Sequence, residues 1–404
     1  MIKRLLIVSL CILMLLMKGT GGTGDKAIKA GPAVNGNRKT AVSPKPAPTP
    51  LPTPSAKPTS TPLPTPVPSP QPKRLSIAAV GDVMLGRGVG TRLRNKDRGY
   101  LYAFEEVFET LNSGDIVFCN LEAPITDRTH SLYKSGKIVL KSSVASFEAI
   151  KQAGFNVISL ANNHMMDYYA EGLMDTIDIL DENNILYAGA GKNLEEARKP
   201  AVMEVDGMKV GILAYSDMAH YVFAGDPYVK FEAEAEKPGI APTNIKYILE
   251  DIEKLKDRVD ILILSLHWGV EESFVIPDEQ RNMAHMLIDG GADLILGHHT
   301  HQFQGIEMYK GKPIVYSMGN FIFDQNDPEN QESFILKLNY EDSILKSFTG
   351  IPVRTIGKCR VTMPKGDEAM NILKRQVELC RRLGTESVID MENDILKIQL
   401  LKSN

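Results

Sequence analysis

The chain has 404 residues, 43% apolar and 24% charged, with a formal net charge of −4. These values exclude a wholly disordered chain and a multi-span membrane protein. They also lack the basic surplus of a typical nucleic-acid binder, so no nucleic acid is expected as a partner.

Lys3 and Arg4 precede a 13-residue apolar run, Leu5 to Met17, followed by Lys18 and the small residues Gly19 to Gly24. The run is shorter than the roughly 18–20 apolar residues of a spanning helix. The pattern predicts a secretory signal peptide or an uncleaved membrane anchor over residues 1–24. Leu10 before Cys11 disfavours a lipidated cysteine. Residues 25–73 read as a Pro-rich stalk, because 14 of the 24 prolines fall between Pro32 and Pro72. Proline lacks an amide donor, so such a segment builds neither helix nor sheet and serves as an extended spacer. Arg38, Lys39, Lys45 and Lys57 make it basic, which suits either a tether near an anionic surface or a solvated linker. Signal, stalk and body together predict an extracytoplasmic protein, secreted or tethered to the outer face of a bacterial cytoplasmic membrane.

A globular body is expected over residues 74–340. Short β-rich apolar runs occur at Leu75–Val80, Ile116–Phe118, Val157–Leu160, Val210–Tyr215, Ile261–Leu266, Leu294–Leu296 and Ile314–Tyr316. Such runs read as strands buried on both faces. Helical periodicity lies between several of them, at Tyr102–Leu111, Val144–Ala153, Gly172–Asn183, Asn244–Lys256 and Asp278–Asp289, with Gly154 and Gly290 as expected stops. Alternating strands and helices predict an α/β fold. Residues 341–404 carry no catalytic signature and read as a C-terminal extension. Met370, Leu373, Val377 and Cys380 recur there at helical spacing, predicting a helix that packs on the body or binds a partner.

Polar signatures share one position in this pattern. Gly81-Asp82, Asn120-Leu121-Glu122, Asn162-Asn163-His164, His267-Trp268-Gly269, Gly297-His298-His299-Thr300-His301 and Gly319-Asn320 each follow a strand. Ligands of open α/β sheets bind outside the carboxyl ends of strands. Asp, Glu, Asn and His without Cys form an oxygen/nitrogen donor set suited to Mn²⁺, Fe²⁺, Zn²⁺ or Co²⁺. His299 and His301 are two apart, so in an extended segment both would face one centre. The donors suffice for one or two divalent ions, and paired ions clamp a phosphoryl group in hydrolytic sites. His164 is the natural proton donor to a leaving group.

These stretches resemble the CapA-type (PgsA) poly-γ-glutamate capsule biosynthesis family, of the calcineurin-like metallophosphoesterase superfamily. The resemblance rests on Gly81-Asp82 through Arg87, Asn120 through Pro124, Ser159 through Asp167, His267 through Glu271, Gly297 through His301 and Tyr316 through Gln325, in order, across Leu75 to Leu338. It implies a two-sheet sandwich flanked by helices, in α-β-β-α layers. It also implies Asp82, Glu122, Asn163, His267, His299 and His301 as metal ligands, with His164 as acid or phosphate contact. The superfamily's Asp-x-His motif is broken here by Val83 and Met84, so one metal position is expected to be incomplete or differently ligated. Thr300 stands where CapA-type sequences commonly have proline, a change expected to affect loop stiffness alone.

Each residue also has a plainer reading. Asp82 could cap a helix, His267 could be a satisfied core histidine beside Trp268, and Asn162-Asn163 could be turn chemistry. Arg87 could bind an anionic substrate group or pair with a carboxylate. Asn320 and Asp324 read as supporting residues. Cys119 reads as a small core residue, and Cys359 and Cys380 as a pair that could form a disulfide. Three functions remain open: a metal-dependent hydrolase or transferase acting on a phosphoester or an anionic polymer; a non-catalytic accessory subunit of a membrane polyglutamate synthase or export complex; and a wall-binding module.

Overall fold

A computed structural model of the chain describes residues 71–132, 138–223 and 229–400, together with Lys45. The signal or anchor expected over 1–24, and nearly all of the stalk, lie outside the described residues. No helix among the described residues is long and apolar enough to cross a membrane. The body begins where Lys73 N donates to Asp342 Oδ1 at 3.0 Å and Lys73 Nζ to the Gly207 carbonyl at 2.6 Å.

Sixteen strands of at least three residues are described. The first eight are β1 (Arg74–Val83), β2 (Ile116–Leu121), β3 (Val157–Ser159), β4 (Leu186–Ala188), β5 (Ala201–Val205), β6 (Met208–Ser216), β7 (Ile261–His267) and β8 (Leu294–His298). They continue with β9 (Ile306–Tyr309), β10 (Lys312–Val315), β11 (Asn320–Ile322), β12 (Glu332–Glu341), β13 (Ile344–Ile356), β14 (Arg360–Thr362), β15 (Ser387–Asp390) and β16 (Ile395–Ile398). The helices are α1 (Arg87–Leu93), α2 (Phe108–Asn112), α3 (Phe147–Gln152), α4 (Tyr169–Glu182), α5 (Leu194–Ala197), α6 (Ile245–Leu255), α7 (Asp278–Gly290) and α8 (Asp367–Arg382).

A ten-stranded sheet runs β15-β16-β13-β12-β1-β2-β3-β4, with β11 beside β1 and β14 beside β13. A six-stranded sheet runs β9-β10-β8-β7-β6-β5. β1 to β4 are mutually parallel, as are β6, β7, β8 and β10, so each sheet has a shared carboxyl end. All seven expected runs are strands.

Side chains alternate across a strand, and that alternation sorts the core into layers. Leu75, Ile77 and Ala79 of β1 meet Val210, Ile212, Ile261, Ile263, Leu294 and Leu296 between the sheets. Ala78 and Val80 turn outward onto Val89, Leu111, Ile150, Leu173 and Ile177 of the helices. On the far side Leu262, Leu264, Leu266 and Ile295 pack on Ile248, Ile252, Leu255, Ala284 and Leu287 of α6 and α7. The result is the expected α/β sandwich, helix-sheet-sheet-helix. α6 forms where Ile248, Ile252 and Leu255 share one face and Asn244 Oδ1 accepts from Lys246 N and Tyr247 N at 3.1 and 3.4 Å.

Three expectations change. Tyr102–Leu111 is not one helix but a 3₁₀ turn, Gly99–Ala103, followed by α2. Phe104, between them, stacks on Phe321 at 6.0 Å and meets Phe155 edge-on at 5.8 Å, so tertiary packing overrides local periodicity. Gly290 is the last residue of α7, and the stop is Gly291 at φ 125°. Cys359 and Cys380 are both free, because Cys359 lies in the outer core of the large sheet and Cys380 in the core between the sheets.

The chain after residue 340 carries more strand than its sequence shows. β12 and β13 form one long antiparallel hairpin, and β16 pairs with β13. Ile372, Leu373, Leu379 and Cys380 of α8 enter the core between the sheets.

Candidate metal centre

The carboxyl ends of the parallel strands converge at one edge of the sandwich. Asp82 stands in register with Asn120 on one side and Asn320 on the other. His267 is level with His298 and Ser216. β1 slips register between Ala79 and Asp82, which re-aims its last residues. Two glycines bring the chain segments close enough. A Cβ at Gly81 would sit 1.8 Å from the Gly319 carbonyl oxygen, and one at Gly297 1.9 Å from that of Tyr316.

One donor atom from each of Asp82, Glu122 and His267 lies within 4.8 Å of the others. Asp82 Oδ1 accepts from Asn120 Nδ2 at 2.9 Å and bonds His298 Nδ1 at 3.0 Å. Asp82 Oδ2 accepts from His299 N at 3.4 Å. His267 Nε2 bonds Asn163 Oδ1 at 2.9 Å, and its ring centroid is 4.8 Å from that of His299. Asn162 Nδ2 bridges the Asn120 side chain at 3.1 Å and the Leu121 carbonyl at 2.8 Å. His164 Nδ1 bonds Asp167 Oδ2 at 2.8 Å, which leaves Nε2 toward Glu122 Oε1 at 4.0 Å.

Burial makes this arrangement costly without a cation. Asp82 and Glu122 are both 0% exposed. Neither Glu122 oxygen has a hydrogen-bond partner, nor does Nδ1 of His299. Buried polar atoms are rarely left so, and buried charge is tolerated when paired or coordinated. Burial, and then the Asp82 charge, push the Glu122 carboxyl well above the usual range. Burial acts the same way on Asp82. There the His298 hydrogen bond and the charges of His298, His267 and His301 outweigh it and hold the carboxyl below its ordinary value. Burial and neighbouring histidines depress His267, and bring His299 down to about 4. Neutral imidazoles and an ionised Asp82 are states that a divalent ion requires, and Glu122 would release its proton as the ion binds. The donors present therefore fit such an ion.

The depressed histidines carry a stability prediction. A base with a lowered folded pKa adds stability that is present above its unfolded value and lost as pH falls through the folded one. The melting temperature of metal-free protein should therefore drop as pH falls from about 6.5 toward about 4. His299→Gln should flatten that slope; an unchanged slope in differential scanning fluorimetry would contradict the assignment.

The structure brings Asp82, Glu122, Asn163, His164, His267 and His299 together. His301 is near enough for its charge to act on Asp82 and His299, while its Nδ1 bonds Asn320 Oδ1 at 2.9 Å and its ring lies edge-on to Phe323 at 5.1 Å. His299 and His301 are not in extended backbone, since their φ values are 92° and 60°. Positive φ at two non-glycine residues is local strain of a kind that gathers at functional sites. Arg87 pairs with Asp324, which also accepts from Gly88 N at 2.9 Å. Met84, where the superfamily motif has histidine, is buried in the outer core, and its sulfur accepts from Gly86 N. Asn120, Asn162, Asp167 and His298 hold the donors; all four stand in the quoted motifs, but none was named as a ligand. Each was visible as a polar residue inside a motif, but only coordinates show which side chain turns inward.

Residues 76–325 match the family described as "Bacterial capsule synthesis protein PGA_cap". The chain belongs to that family. PGA_cap sits in the metallophosphoesterase-like superfamily, as the motif resemblance implies. Among its relatives, the capsule biosynthesis protein CapA of Bacillus anthracis is 34% identical over 277 residues, covering 67% of this chain and 65% of that protein. The PGA biosynthesis protein CapA of Bacillus subtilis strain 168 is 31% identical over 280 residues, covering 69% and 71%. A probable polyglutamine synthesis accessory protein of Mycobacterium tuberculosis is 27% identical over 373 residues, covering 80% and 95%. Among solved structures, a 5'-nucleotidase from Candida albicans SC5314 aligns at TM-score 0.38 and 11% identity, over 65% of this chain and 47% of that one.

Proposed function

We propose that this PGA_cap protein works in poly-γ-glutamate capsule synthesis or export as a metal-dependent hydrolase or transferase at the outer face of the cytoplasmic membrane. The observation that carries the enzymatic part is the buried convergence of Asp82, Glu122 and His267, with both Glu122 oxygens unsatisfied. The capsule role follows the printed names of the Bacillus relatives. The outer-face location follows the expected signal and stalk.

In this reading Asp82, Glu122 and His267 hold one or two divalent ions, with Asn163, His299 and His301 completing the ligand set. Such an ion, once bound, supplies a Lewis acid for a phosphoryl or carbonyl oxygen. His298 and Asn120 fix the Asp82 carboxylate, as outer partners of ligands commonly do. Asp167 orients His164, so the Nε2 atom beside Glu122 carries a proton to or from the leaving group. Arg87, held by Asp324, is placed to receive an anionic group of the substrate. The substrate is an anionic polymer or phosphoester, and the partner a membrane polyglutamate synthase or export complex.

The mycobacterial relative's printed name favours a second reading, an accessory subunit with no catalysis of its own. Complementation separates the two. In a deletion strain of a polymer-making host, wild-type protein should restore poly-γ-glutamate and a His299→Ala/His301→Ala double variant, expressed to equal level, should not. Equal restoration by both would sink the enzymatic reading and leave the accessory one.

A further inference from the structure

A second concavity lies outside the metal centre. It is an open cavity of about 360 Å³ between the chain that leaves α1 and the turn joining β13 to β14, lined by Arg92, Lys96, Tyr102, Gly357 and Arg360 among others. Its lining holds three cations and no acid. Two of them share one ring: Lys96 Nζ lies 4.8 Å, and Arg360 Cζ 4.7 Å, from the centroid of Tyr102. Like charges brought onto one aromatic repel each other, and a bound anion would relieve that repulsion.

The neighbouring acids relieve it only in part. Glu105 and Glu106 approach Arg360 at 3.8 and 3.6 Å, too far for hydrogen bonds, and Glu105 is already paired with Arg98 at 2.7 Å. The buried Nε of Arg360 has no hydrogen-bond partner. Lys96 and Arg92 are exposed and make no ion pair among the described residues. The cavity connects to the metal centre along α1. Arg92 donates to the Gly88 carbonyl at 2.8 Å, Gly88 N donates to Asp324, and Asp324 pairs with Arg87. Arg87 is close enough to Glu122 to oppose the rise of its pKa. Arg87 and Arg92 are about 8 Å apart along the helix axis at 1.5 Å per residue.

We propose that the cavity of Arg92, Lys96 and Arg360 binds carboxylates of an extended polyanionic chain whose neighbouring segment lies at the metal centre. The choice of a γ-glutamyl chain as occupant rests on the proposed role in capsule synthesis; the anion site itself does not. Guanidinium and ammonium donors on a tyrosine platform bind carboxylates through charge-assisted hydrogen bonds. The turn through Gly357 and Lys358, at φ 54° and 57°, carries Gly357, Cys359 and Arg360 into the lining.

The test uses the full chain in mild detergent with EDTA present, so that bound metal plays no part. A fluorescent oligo-γ-glutamate is titrated by anisotropy against wild type, an Arg92→Glu/Lys96→Glu double variant, and His267→Ala. Both charge-reversed positions are exposed, so the fold should be kept, with melting temperature as the check. The double variant should bind at least about tenfold more weakly and retain wild-type metal content when EDTA is omitted. His267→Ala should bind the oligomer as wild type does. The proposal is overturned by absence of binding to wild type, by equal affinity of the double variant, by loss of binding in His267→Ala alone, or by preference for oligothymidylate of equal length. A chain without bound metal but with intact oligomer binding would instead remove the hydrolase reading and leave this site standing.

Discussion

Glu122→Gln is expected to lower Mn²⁺ affinity by at least about a hundredfold while raising the melting temperature of metal-free protein. Changes to outer partners of metal ligands already cost about 10–100-fold, so loss of a ligand charge should exceed that. The opposite sign in metal-free protein follows from burial. Glu122 is fully buried, raised in pKa by desolvation and by Asp82, and among the described residues has no charged partner nearer than His164 Nε2 at 4.0 Å. Folding must keep this carboxyl protonated where the unfolded chain would ionise it, and a neutral isostere removes that cost. With excess Mn²⁺ the order should reverse, because binding energy stabilises only the protein that binds. Calorimetric titration and scanning fluorimetry with and without Mn²⁺ read both effects. A variant less stable than wild type in EDTA would show that Glu122 has a structural partner instead.

The second large effect is expected at two glycines. Gly297→Ala places a methyl 1.9 Å from the Tyr316 oxygen, 2.5 Å from its carbonyl carbon and 2.8 Å from Trp268 Nε1. Gly81→Ala meets Gly319 backbone at 1.8 and 2.9 Å. Backbone cannot swing aside as a flexible side chain can. Trp268 is pinned as well, since its Nε1 donates to the Tyr316 carbonyl at 3.0 Å. Overpacking in a tight interior costs about 1–3 kcal/mol, and a clash with backbone should reach or exceed the upper end. The variants should be destabilised by about 3 kcal/mol or more, or be insoluble. Neither glycine has a positive φ, so the effect reports close approach and not chain strain. Denaturant midpoints within about 0.5 kcal/mol of wild type would show that the strand ends are looser than described.

These glycines explain why much of the centre could be read from the sequence. Gly81 precedes Asp82 and Gly297 precedes His298, each at the end of an apolar run. A run buried on both faces must be an interior strand, and polar residues at its end must lie where parallel strands open. That logic located Asp82, Glu122 and His267 without coordinates. It could not choose between His298 and His299. The backbone leaves extended geometry at His299 and His301, so counting by twos cannot say which way either side chain faces. His298, part of the strand-end signature but not named as a ligand, bonds Asp82. The strands after residue 340 were hidden for a different reason. Lys346, Ser347, Thr349 and Arg354 dilute β13 to a weak alternation, and its pairing with β12 depends on a tight turn through Asp342 and Ser343 at positive φ. Cys359 and Cys380 looked like a possible pair because sequence spacing does not reveal that a sheet separates two cores.

The most direct test is anomalous diffraction from crystals of the chain grown with Mn²⁺, recorded beside a Glu122→Gln crystal. The account predicts a peak bounded by Asp82, Glu122 and His267 in wild type, and its loss or marked weakening in the variant. A fully occupied peak elsewhere, or none at saturating Mn²⁺, would contradict it.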